Sequence, residues 1–396
     1  MDEILSLPQA QALVLGRVRP LAAERLSLAE AAGRFLAEPA RALVDLPPFR
    51  NSAMDGYAVR AEDTPGELPV VHRVAAGTPA SRPLEAGEAM GIATGGLVPD
   101  GADAVIQHEL VVEKDNSIEV SISVAQGANV RERGRDVSAG AVVASAGTRL
   151  GPAQIGALAA AGVAEVACVR RPRVAVLTTG TELREPGATL APGEVYEANG
   201  VMLAAQLAAA GAEVTRLDSV ADDEDAHRRA LARGLEYDVL VTSGGVSVGP
   251  HDLVRRIEAE LGVEEVFWRV AVRPGKPVSF GVRGQTLVFG LPGNPVSTLV
   301  GCELFARPAV LALQGAADPG PRFSAGRLAE TVSRNPGRDD LMRARTEVTD
   351  DGIVLSPVTG QESHMIVRAA EADALVLVPR GEGELAAGES VRYLPL

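Results

Sequence analysis

Short apolar runs alternate with helix-like patterns in the middle of the chain. The apolar runs cover residues 174–177, 239–241 and 287–289, and amphipathic stretches at 200–210 and 226–233 separate them. A glycine follows each amphipathic stretch, which is the usual left-handed stop of a helix. Strands that alternate with helices predict βαβ units and a mostly parallel sheet. We therefore expect a three-layer α/β domain over residues 171–315.

Polar, glycine-rich segments accompany these apolar runs at residues 179–182, 242–252, 273–277 and 290–295. The carboxyl ends of parallel strands meet at one edge of a sheet, so we expect these segments to converge there. Carboxylates, cations and free backbone N–H groups at one edge suit a phosphorylated ligand with a divalent metal. The side chains that would supply this chemistry are Glu182, Asp222, Asp223, Asp252, Arg273 and Lys276.

The pattern changes on both sides of this region. Residues 3–36 have helical spacing and predict two amphipathic helices. Residues 60–137 carry many short alternating runs separated by turns, which predict a small β-rich domain. After a Pro-Gly-Pro segment, residues 316–396 again contain only short β-like runs, which predict a small all-β domain or barrel. A helix is expected to begin at Pro295, with Asn294 as its cap and its N-terminus open to anions.

Composition narrows the class of protein. No run approaches the roughly 20 apolar residues of a membrane helix, and the first residues lack the basic region of a signal peptide. Two cysteines, Cys168 and Cys302, are too few for a disulfide framework or a cysteine metal site. The net charge of −14 disfavours nucleic-acid binding. We expect a cytoplasmic protein that binds neither membranes nor nucleic acid.

The use of lysine singles out one residue. The chain has only two lysines, Lys114 and Lys276, and every other basic side chain is arginine or histidine. An ammonium and a guanidinium make different contacts. The retention of Lys276 inside Arg273-Pro-Gly-Lys-Pro277 therefore favours a functional role for it.

Four motifs occur in one order on this chain, and together they are specific. They resemble those of the molybdopterin molybdenumtransferase family, known as MoeA, which includes the gephyrin E domain, and the resemblance covers essentially the whole chain. The motifs are Asn51-Ser-Ala-Met-Asp-Gly-Tyr57, Thr242-Ser-Gly-Gly-Val-Ser-Val-Gly249, Pro274-Gly-Lys-Pro277 and Gly290-Leu-Pro-Gly-Asn-Pro-Val-Ser297.

The resemblance implies a reaction and an architecture. The reaction is the insertion of molybdate into adenylylated molybdopterin with release of AMP, assisted by Mg²⁺. The architecture is an elongated homodimer of four-domain subunits, in which the β-rich domain of one subunit completes the active cleft of the other. The implied domains are an elongated helical/β linker (1–45 and 138–170), a β-rich domain (46–137), an adenylyltransferase-like α/β domain (171–315) and a C-terminal β-barrel (316–396). Partners would include the molybdopterin adenylyltransferase and cofactor-accepting enzymes.

The resemblance also assigns site residues, alongside those that the local chemistry suggests. Glu182, Asp222 or Asp223, and Asp252 match acidic family positions and would hold Mg²⁺. Local chemistry favours a turn role for Asp55 and suits a surface turn equally well for Thr94, whereas the resemblance makes both of them cleft residues. We expect Arg343 or Arg345 to be a nearby binding arginine. The remaining ligand-binding candidates are Gly244, Gly245, Ser247, Arg273, Lys276, Pro292, Gly293, Asn294, Pro295 and Ser363.

Two residues differ from the family pattern, and two alternative functions remain open. Thr181 stands where relatives often have an acidic or small polar residue. Arg273 stands where a lysine is common. One rival is an adenylyltransferase that makes the intermediate instead of consuming it, which ATP consumption with bare molybdopterin would reveal. The other rival is a cofactor-binding scaffold, because a fold does not fix a function.

Overall fold

The first part of the chain forms two sheet-rich regions. The computed structural model describes residues 4–220, 223–245 and 253–396. The elements up to residue 170 are α1 (Leu7–Arg17), β1 (Ala23–Ser27), β2 (Ala40–Arg41), β3 (Asn51–Ser52), β4 (Gly56–Val59), β5 (Gly66–Val74), β6 (Ala89–Ile92), β7 (Ala104–Gln107), β8 (Val111–Glu113), β9 (Ser117–Val120), β10 (Val130–Arg131), β11 (Val142–Ala144), α2 (Pro152–Ala160) and β12 (Glu165–Val169).

The first of the two predicted N-terminal helices exists and the second does not. Helix α1 begins with a capping box in which Ser6 and Gln9 exchange hydrogen bonds. Beyond it, β1 pairs antiparallel with β12, with Ala23 opposite Val169. The backbone of this segment therefore finds its hydrogen bonds in a strand 140 residues away along the chain. The apolar residues that suggested a helix, such as Leu28 and Ala31, pack instead into a cluster with α2 and β12.

The β-rich region is built on a six-stranded sheet in the order β7-β4-β6-β5-β9-β8. Strand β4 lies between β6 and β7 and pairs antiparallel with both. Its alternate residues enter two clusters, with Ala58 in one and Tyr57 and Val59 in the other. The sheet thus fixes β4 between two packed layers, and the turn that precedes it presents Asp55 as an exposed residue at the start of the strand.

The central region contains the predicted α/β domain. Its elements are β13 (Arg173–Thr178), β14 (Leu183–Arg184), β15 (Val195–Tyr196), α3 (Asn199–Ala209), β16 (Glu213–Arg216), α4 (Glu224–Gly234), β17 (Val239–Ser243), α5 (Leu253–Glu260), β18 (Glu264–Phe267), β19 (Val272–Arg273), β20 (Ser279–Arg283), β21 (Thr286–Leu291), α6 (Pro295–Gly301), a π-helical turn (Cys302–Ala306) and α7 (Arg307–Leu313).

The central sheet has the order β16-β13-β17-β21-β20-β18. The first four strands are parallel, and β20 and β18 are antiparallel. Alternate residues of the parallel strands enter two separate cores, so that Val239 and Val241 face one layer of helices and Leu240 faces the other. This confirms the prediction of a mostly parallel sheet with helices on both faces.

One continuous helical segment fills the larger of these cores. It runs from Pro295 to Leu313 through α6, the π-helical turn and α7. In the part of the chain that the structure describes, it is the one helix long and apolar enough to cross a membrane by length and composition. Because 72% of its most apolar window is buried inside the protein, it has the burial of a core helix.

The C-terminal region closes into a barrel. Its elements are β22 (Ser324–Leu328), β23 (Val332–Ser333), β24 (Asp339–Thr349), β25 (Gly352–Pro357), α8 (Ile366–Ala369), β26 (Ala374–Val378), β27 (Glu384–Leu385) and β28 (Ser390–Pro395). The order β24-β25-β22-β28-β26 closes because β26 also pairs with β24. Strand β19 of the central region pairs parallel with β24, with Arg273 opposite Asp340, which joins the barrel to the α/β region beside the site.

Candidate functional site

The carboxyl ends of three parallel strands lie side by side at one edge of the central sheet. Thr178 at the end of β13 is opposite Ser243 of β17, which is opposite Leu291 of β21. The ladder continues into the loops, since Thr179 N–H donates to Ser243 O at 3.1 Å and Gly244 N–H donates to Leu291 O at 3.1 Å. The loops at 179–182, 244–245 and 292–294 therefore converge at this edge, as their positions in the sequence predict.

Two features fix these loops against one another. Asn199, the first residue of α3, donates from Nδ2 to Ser243 Oγ at 3.0 Å and to Gly293 O at 2.7 Å. Gly244 has φ +98°, and a Cβ there would lie 2.6 Å from Thr179 O. Only glycine allows this backbone conformation and this close approach. The Gly244 N–H, however, is engaged by Leu291 O and is not available to a ligand.

A cavity of about 660 Å³ lies beside the 292–294 loop, between the α/β region and the barrel. We call it the Lys276 cavity. Its lining combines cations, hydroxyl and amide donors and one carboxylate, which suits an anionic ligand with several oxygens. The polar lining residues are Arg273, Lys276, Asn294, Ser297, Arg338, Gln361, Glu362, Ser363 and His364, with Pro274, Gly275, Pro277 and Pro292 completing the wall.

Lys276 and Arg273 bring different groups to this cavity. Lys276 is half-buried, and its ammonium has no ion pair within residues 4–220, 223–245 and 253–396. Arg273 is paired, because its Nη2 lies 2.6 Å from Asp340 Oδ2. The side chain of Arg273 is 54% exposed, whereas that of Asp340 is only 8% exposed. The cavity therefore has one unpaired ammonium and one guanidinium that a buried carboxylate holds.

The N-terminus of the helix that begins at Pro295 is less open to an anion than the sequence suggests. Asn294 occupies the cap position, but its side chain makes no capping bond and instead donates from Nδ2 to Ser363 Oγ at 2.9 Å. Pro295 has no N–H, and the next N–H, that of Val296, donates to Ser363 O at 3.0 Å. The barrel thus caps this helix, and Ser363 joins the site through both its hydroxyl and its carbonyl.

Arg343 does not lie in the cavity, contrary to the prediction that it contacts the ligand. It is 1% exposed, and its Nη2 and Nη1 donate to Gly360 O at 2.8 Å and Glu362 O at 3.3 Å. Burial lowers the pKa of its guanidinium. Arg343 therefore holds the loop that carries Ser363. The alternative, Arg345, is engaged as well, because its Nη2 lies 2.7 Å from Glu371 Oε2.

The predicted acidic ligands are only partly described. Asp222, Ser247 and Asp252 fall outside the described residues. Asp223 caps α4, since its Oδ1 accepts the Ala226 N–H at 2.7 Å. Glu182 is exposed and folds back over Gly180, whose Cβ position would lie 2.7 Å from both of its carboxylate oxygens. Within the described ranges, no three His, Cys, Asp or Glu side chains are grouped to hold a metal ion.

Asp55 and Thr94 meet in the β-rich region. The Thr94 N–H donates to Asp55 Oδ1 at 2.7 Å, and this bond lowers the pKa of the carboxyl group. Asp55 lines a second cavity of about 340 Å³, the Asp55 cavity, together with Arg73 and His108. The two cavities share no lining residue.

Three residues of the site escape sequence reasoning. Asn199 bonds to Ser243, 44 positions away, and Asp340 pairs with Arg273, 67 positions away. Arg338 lines the Lys276 cavity from a segment whose sequence is typical of an ordinary turn. Their only sequence signal is a polar residue next to a predicted element, which is too common to be diagnostic. Cys168 and Cys302 are fully buried, and burial raises the pKa of both thiols, which confirms them as core residues.

Comparison with known proteins agrees with this architecture. Residues 5–162 match the MoeA N-terminal region (domain I and II), residues 175–312 a probable molybdopterin binding domain, and residues 325–396 the MoeA C-terminal region (domain IV). Molybdopterin molybdenumtransferase of Haemophilus influenzae is 35% identical over 400 residues, covering 99% of this chain and 98% of that protein. Molybdopterin molybdenumtransferase 2 of Mycobacterium tuberculosis is 35% identical over 406 residues, covering 99% of both.

Solved structures give the same result. A molybdopterin biosynthesis MoeA protein from Pyrococcus horikoshii has a TM-score of 0.87 at 28% identity, with all of both chains covered. A second structure of a MoeA protein from Pyrococcus has a TM-score of 0.83 at 32% identity, with 99% of both chains covered. Sequence and architecture thus agree along the whole length, and the chain belongs to the molybdopterin molybdenumtransferase (MoeA) family.

Proposed function

We propose that this protein catalyses the insertion of molybdate into adenylylated molybdopterin, with cleavage of the phosphoric anhydride and release of AMP. Family membership places the chain in molybdenum cofactor biosynthesis. The observation that carries the specific reaction is the Lys276 cavity, where cations and hydroxyl donors from two regions face one space large enough for an oxyanion and substrate phosphates. Substrate positioning and charge neutralisation would account for most of the catalysis.

Each contributing group has a definite part in this proposal. The unpaired ammonium of Lys276 and the held guanidinium of Arg273 would bind molybdate or phosphate oxygens. The Ser363 hydroxyl accepts a hydrogen bond from Asn294 and can donate its own proton to an oxyanion. Pro292 and Pro295 would shape the loop between them, and Gly245 and Gly293 would allow a ligand close to the backbone.

We propose that Mg²⁺ assists the reaction, held by Glu182 with Asp222 or Asp223 and Asp252. The donor set fits, because hard carboxylate oxygens are the ligands that Mg²⁺ prefers, with substrate phosphates completing the coordination. When bound, the ion would neutralise charge on the diphosphate. Of these residues, Glu182 is exposed at the sheet edge and Asp223 keeps one carboxylate oxygen beyond its helix-capping bond. Glu182→Gln should raise the Mg²⁺ concentration needed for half-maximal AMP release.

We propose that the active unit is a homodimer in which Asp55 and Thr94 of one subunit face the Lys276 cavity of the other. Asp55 and Lys276 line different cavities of one chain, and this arrangement would bring the two cavities together. An equimolar mixture of an Asp55→Asn protein and a Lys276→Gln protein would recover activity if sites are shared, because a heterodimer contains one intact cleft. Two proteins that stay inactive after exchange of subunits would contradict it.

The deciding experiment measures AMP release from adenylylated molybdopterin with and without molybdate and Mg²⁺. Lys276→Gln should lower kcat/KM by about 100-fold or more, as expected when a charge at the reacting group is removed. Lys114→Gln is the matched control, because Lys114 is the other lysine and pairs with Glu67 and Glu119 in the β-rich region. Molybdate-independent release, or no release, would overturn the assignment. Formation of the adenylylated species from ATP would identify the upstream adenylyltransferase instead.

A further inference from the structure

The guanidinium of Arg273 lies between the Lys276 cavity and a carboxylate buried behind it. Arg273 Nη2 is 2.6 Å from Asp340 Oδ2, and no hydrogen bond joins the guanidinium to another side chain within the described ranges. Four of its five N–H groups are thus left for the cavity or for solvent. The direction in which the guanidinium points therefore depends on Asp340.

Asp340 is an unusual residue to find in this position. It is 5% exposed, and its Oδ1 is buried without a hydrogen-bond partner. Burial raises the pKa of this carboxyl group, and the charges of Arg273 and Arg338 oppose that shift. A buried carboxylate with an unpaired oxygen is unfavourable for stability, and an apolar residue of similar volume would serve packing at least as well. Its presence points to a role in the site.

The backbone reinforces this side-chain contact. Strand β19 pairs parallel with β24, so that Arg273 and Asp340 lie directly opposite each other in register. The Asp339 N–H donates to Ala271 O at 2.9 Å in the same ladder. Because β24 belongs to the barrel and β19 to the α/β region, the barrel sets the position of a cation that lines the cavity. The same barrel also places Ser363 and Arg338 there.

We propose that Asp340 is a positioning residue, which holds the guanidinium of Arg273 at the depth and orientation that bind the molybdate oxyanion. This inference rests on the proposed function of the Lys276 cavity. Asp340 contacts no substrate in this proposal and acts only through Arg273. Arg273 in turn can serve both partners because its guanidinium is a rigid fork of donors, with one Nη on the buried carboxylate and the others toward the ligand.

The test uses the full-length protein and separates binding from turnover. Asp340→Asn keeps the shape of the side chain and removes its charge. We expect the KM for molybdate to rise about tenfold or more, the magnitude seen when a residue that orients a ligand-binding group is lost, while kcat at saturating molybdate changes by less than about threefold. Equilibrium dialysis with molybdate alone should show the same loss of affinity. Asp340→Glu, which keeps the charge, should restore part of it.

Two comparisons distinguish positioning from general structural support. In an Arg273→Ala background, Asp340→Asn should change the KM for molybdate by less than about twofold, since residues that act through one contact are not additive. Glu371→Gln is the control, because it weakens ion pairs of similar length, with Arg345 at 2.7 Å and Arg368 at 3.0 Å, in the same region but outside the cavity. That variant should leave the KM unchanged.

Each alternative outcome overturns a specific part of the argument. If Asp340→Asn lowers thermal stability but leaves molybdate affinity unchanged, then Asp340 is structural. The same conclusion holds if Asp340→Asn raises the KM for molybdate as much in the Arg273→Ala background as in the wild type. If Asp340→Asn does not fold, Asp340→Glu provides the test. Its longer side chain would misalign Arg273, so wild-type affinity for molybdate in that variant would refute the positioning role. If the wild-type protein binds molybdate but does not release AMP, the proposed function fails while the dialysis ratios still test Asp340.

Discussion

Asn199 offers the sharpest test of how the site loops are held. Its side-chain amide donates to Ser243 Oγ and Gly293 O, so it ties the ends of two neighbouring strands to the first turn of α3. Asn199→Ala removes both bonds. Each is worth about 1 kcal/mol net. Gly293 is exposed and Ser243 Oγ keeps its bond to Pro292 O, so water and the remaining partner limit the penalty to roughly 1–2 kcal/mol.

The effect on activity should exceed the effect on stability. The 244–245 and 292–294 loops carry predicted ligand contacts, and a displacement of about 1 Å at a reacting centre can reduce a rate roughly 100-fold. We therefore expect Asn199→Ala to fold normally, to lose about 2–8 °C in the midpoint of thermal unfolding, and to lose at least about tenfold in kcat/KM. The assays are differential scanning fluorimetry and AMP release at varied molybdate.

Gln314 provides the control for this prediction. Its Nε2 also donates to two backbone carbonyls, Ala210 O at 2.8 Å and Val310 O at 3.0 Å. It lies near the C-terminus of α3, at the opposite edge of the sheet from Asn199. Gln314→Ala should lower the unfolding midpoint by a similar amount and leave kcat/KM unchanged. Equal losses of activity in the two variants, or full activity in Asn199→Ala, would refute the idea that the amide acts on the loops.

Three further predictions follow from the structure. Arg343→Met should destabilise the barrel by about 1–3 kcal/mol, because the carbonyls of Gly360 and Glu362 lose their donor, and should raise the KM for molybdate through Ser363; chemical denaturation and AMP release measure the two effects. Phe280→Ala should cost about 3–5 kcal/mol of stability in the same denaturation assay, because Phe280 is fully buried against two other rings. The bond from Thr94 lowers the pKa of Asp55, so the contribution of its carboxylate should persist at mildly acidic pH and be lost only as pH falls through that lowered pKa. The check is a pH–rate profile. If lowering the pH to near neutrality already reduces the activity of the wild type but not that of Asp55→Asn, then the Asp55 carboxylate does not stay ionised as predicted.

The elements that the sequence predicts well are those with a strong local signal. The strand at 239–243 opens with the apolar run 239–241 because both of its faces are buried, and the helix at 224–234 buries one face through His227 and Leu231. The second predicted N-terminal helix does not form, because the residues on both sides of it pair with β12: Ala23–Ser27 in a strand and Leu36 in a bridge to Cys168, partners that no local window contains. Tertiary pairing decided that segment, and intrinsic propensity did not.

The candidate site shows the same division. Motifs bring the right loops together, because the end of a parallel strand is a topological position that sequence reveals. Motifs do not show which groups are already engaged: the N–H of Val296 and the guanidinium of Arg343 looked available for a ligand and are bonded within the protein. Only three-dimensional contacts show that Asn294 bonds to Ser363 and that Arg273 pairs with Asp340, although the partners lie far apart in sequence.

The cap that the barrel places on the core helix has a consequence for the autonomy of the α/β region. A polypeptide cut after residue 313 would begin that helix at Pro295 with the Val296 N–H exposed and without its Ser363 acceptor. It would also lose the strand that pairs with Arg273. Such a fragment would present a helix end with one more free N–H, and therefore a stronger attraction for anions, than the intact chain has. Phosphate or molybdate bound by the isolated fragment would then report on an artefact of truncation, and not on the chemistry of the whole enzyme.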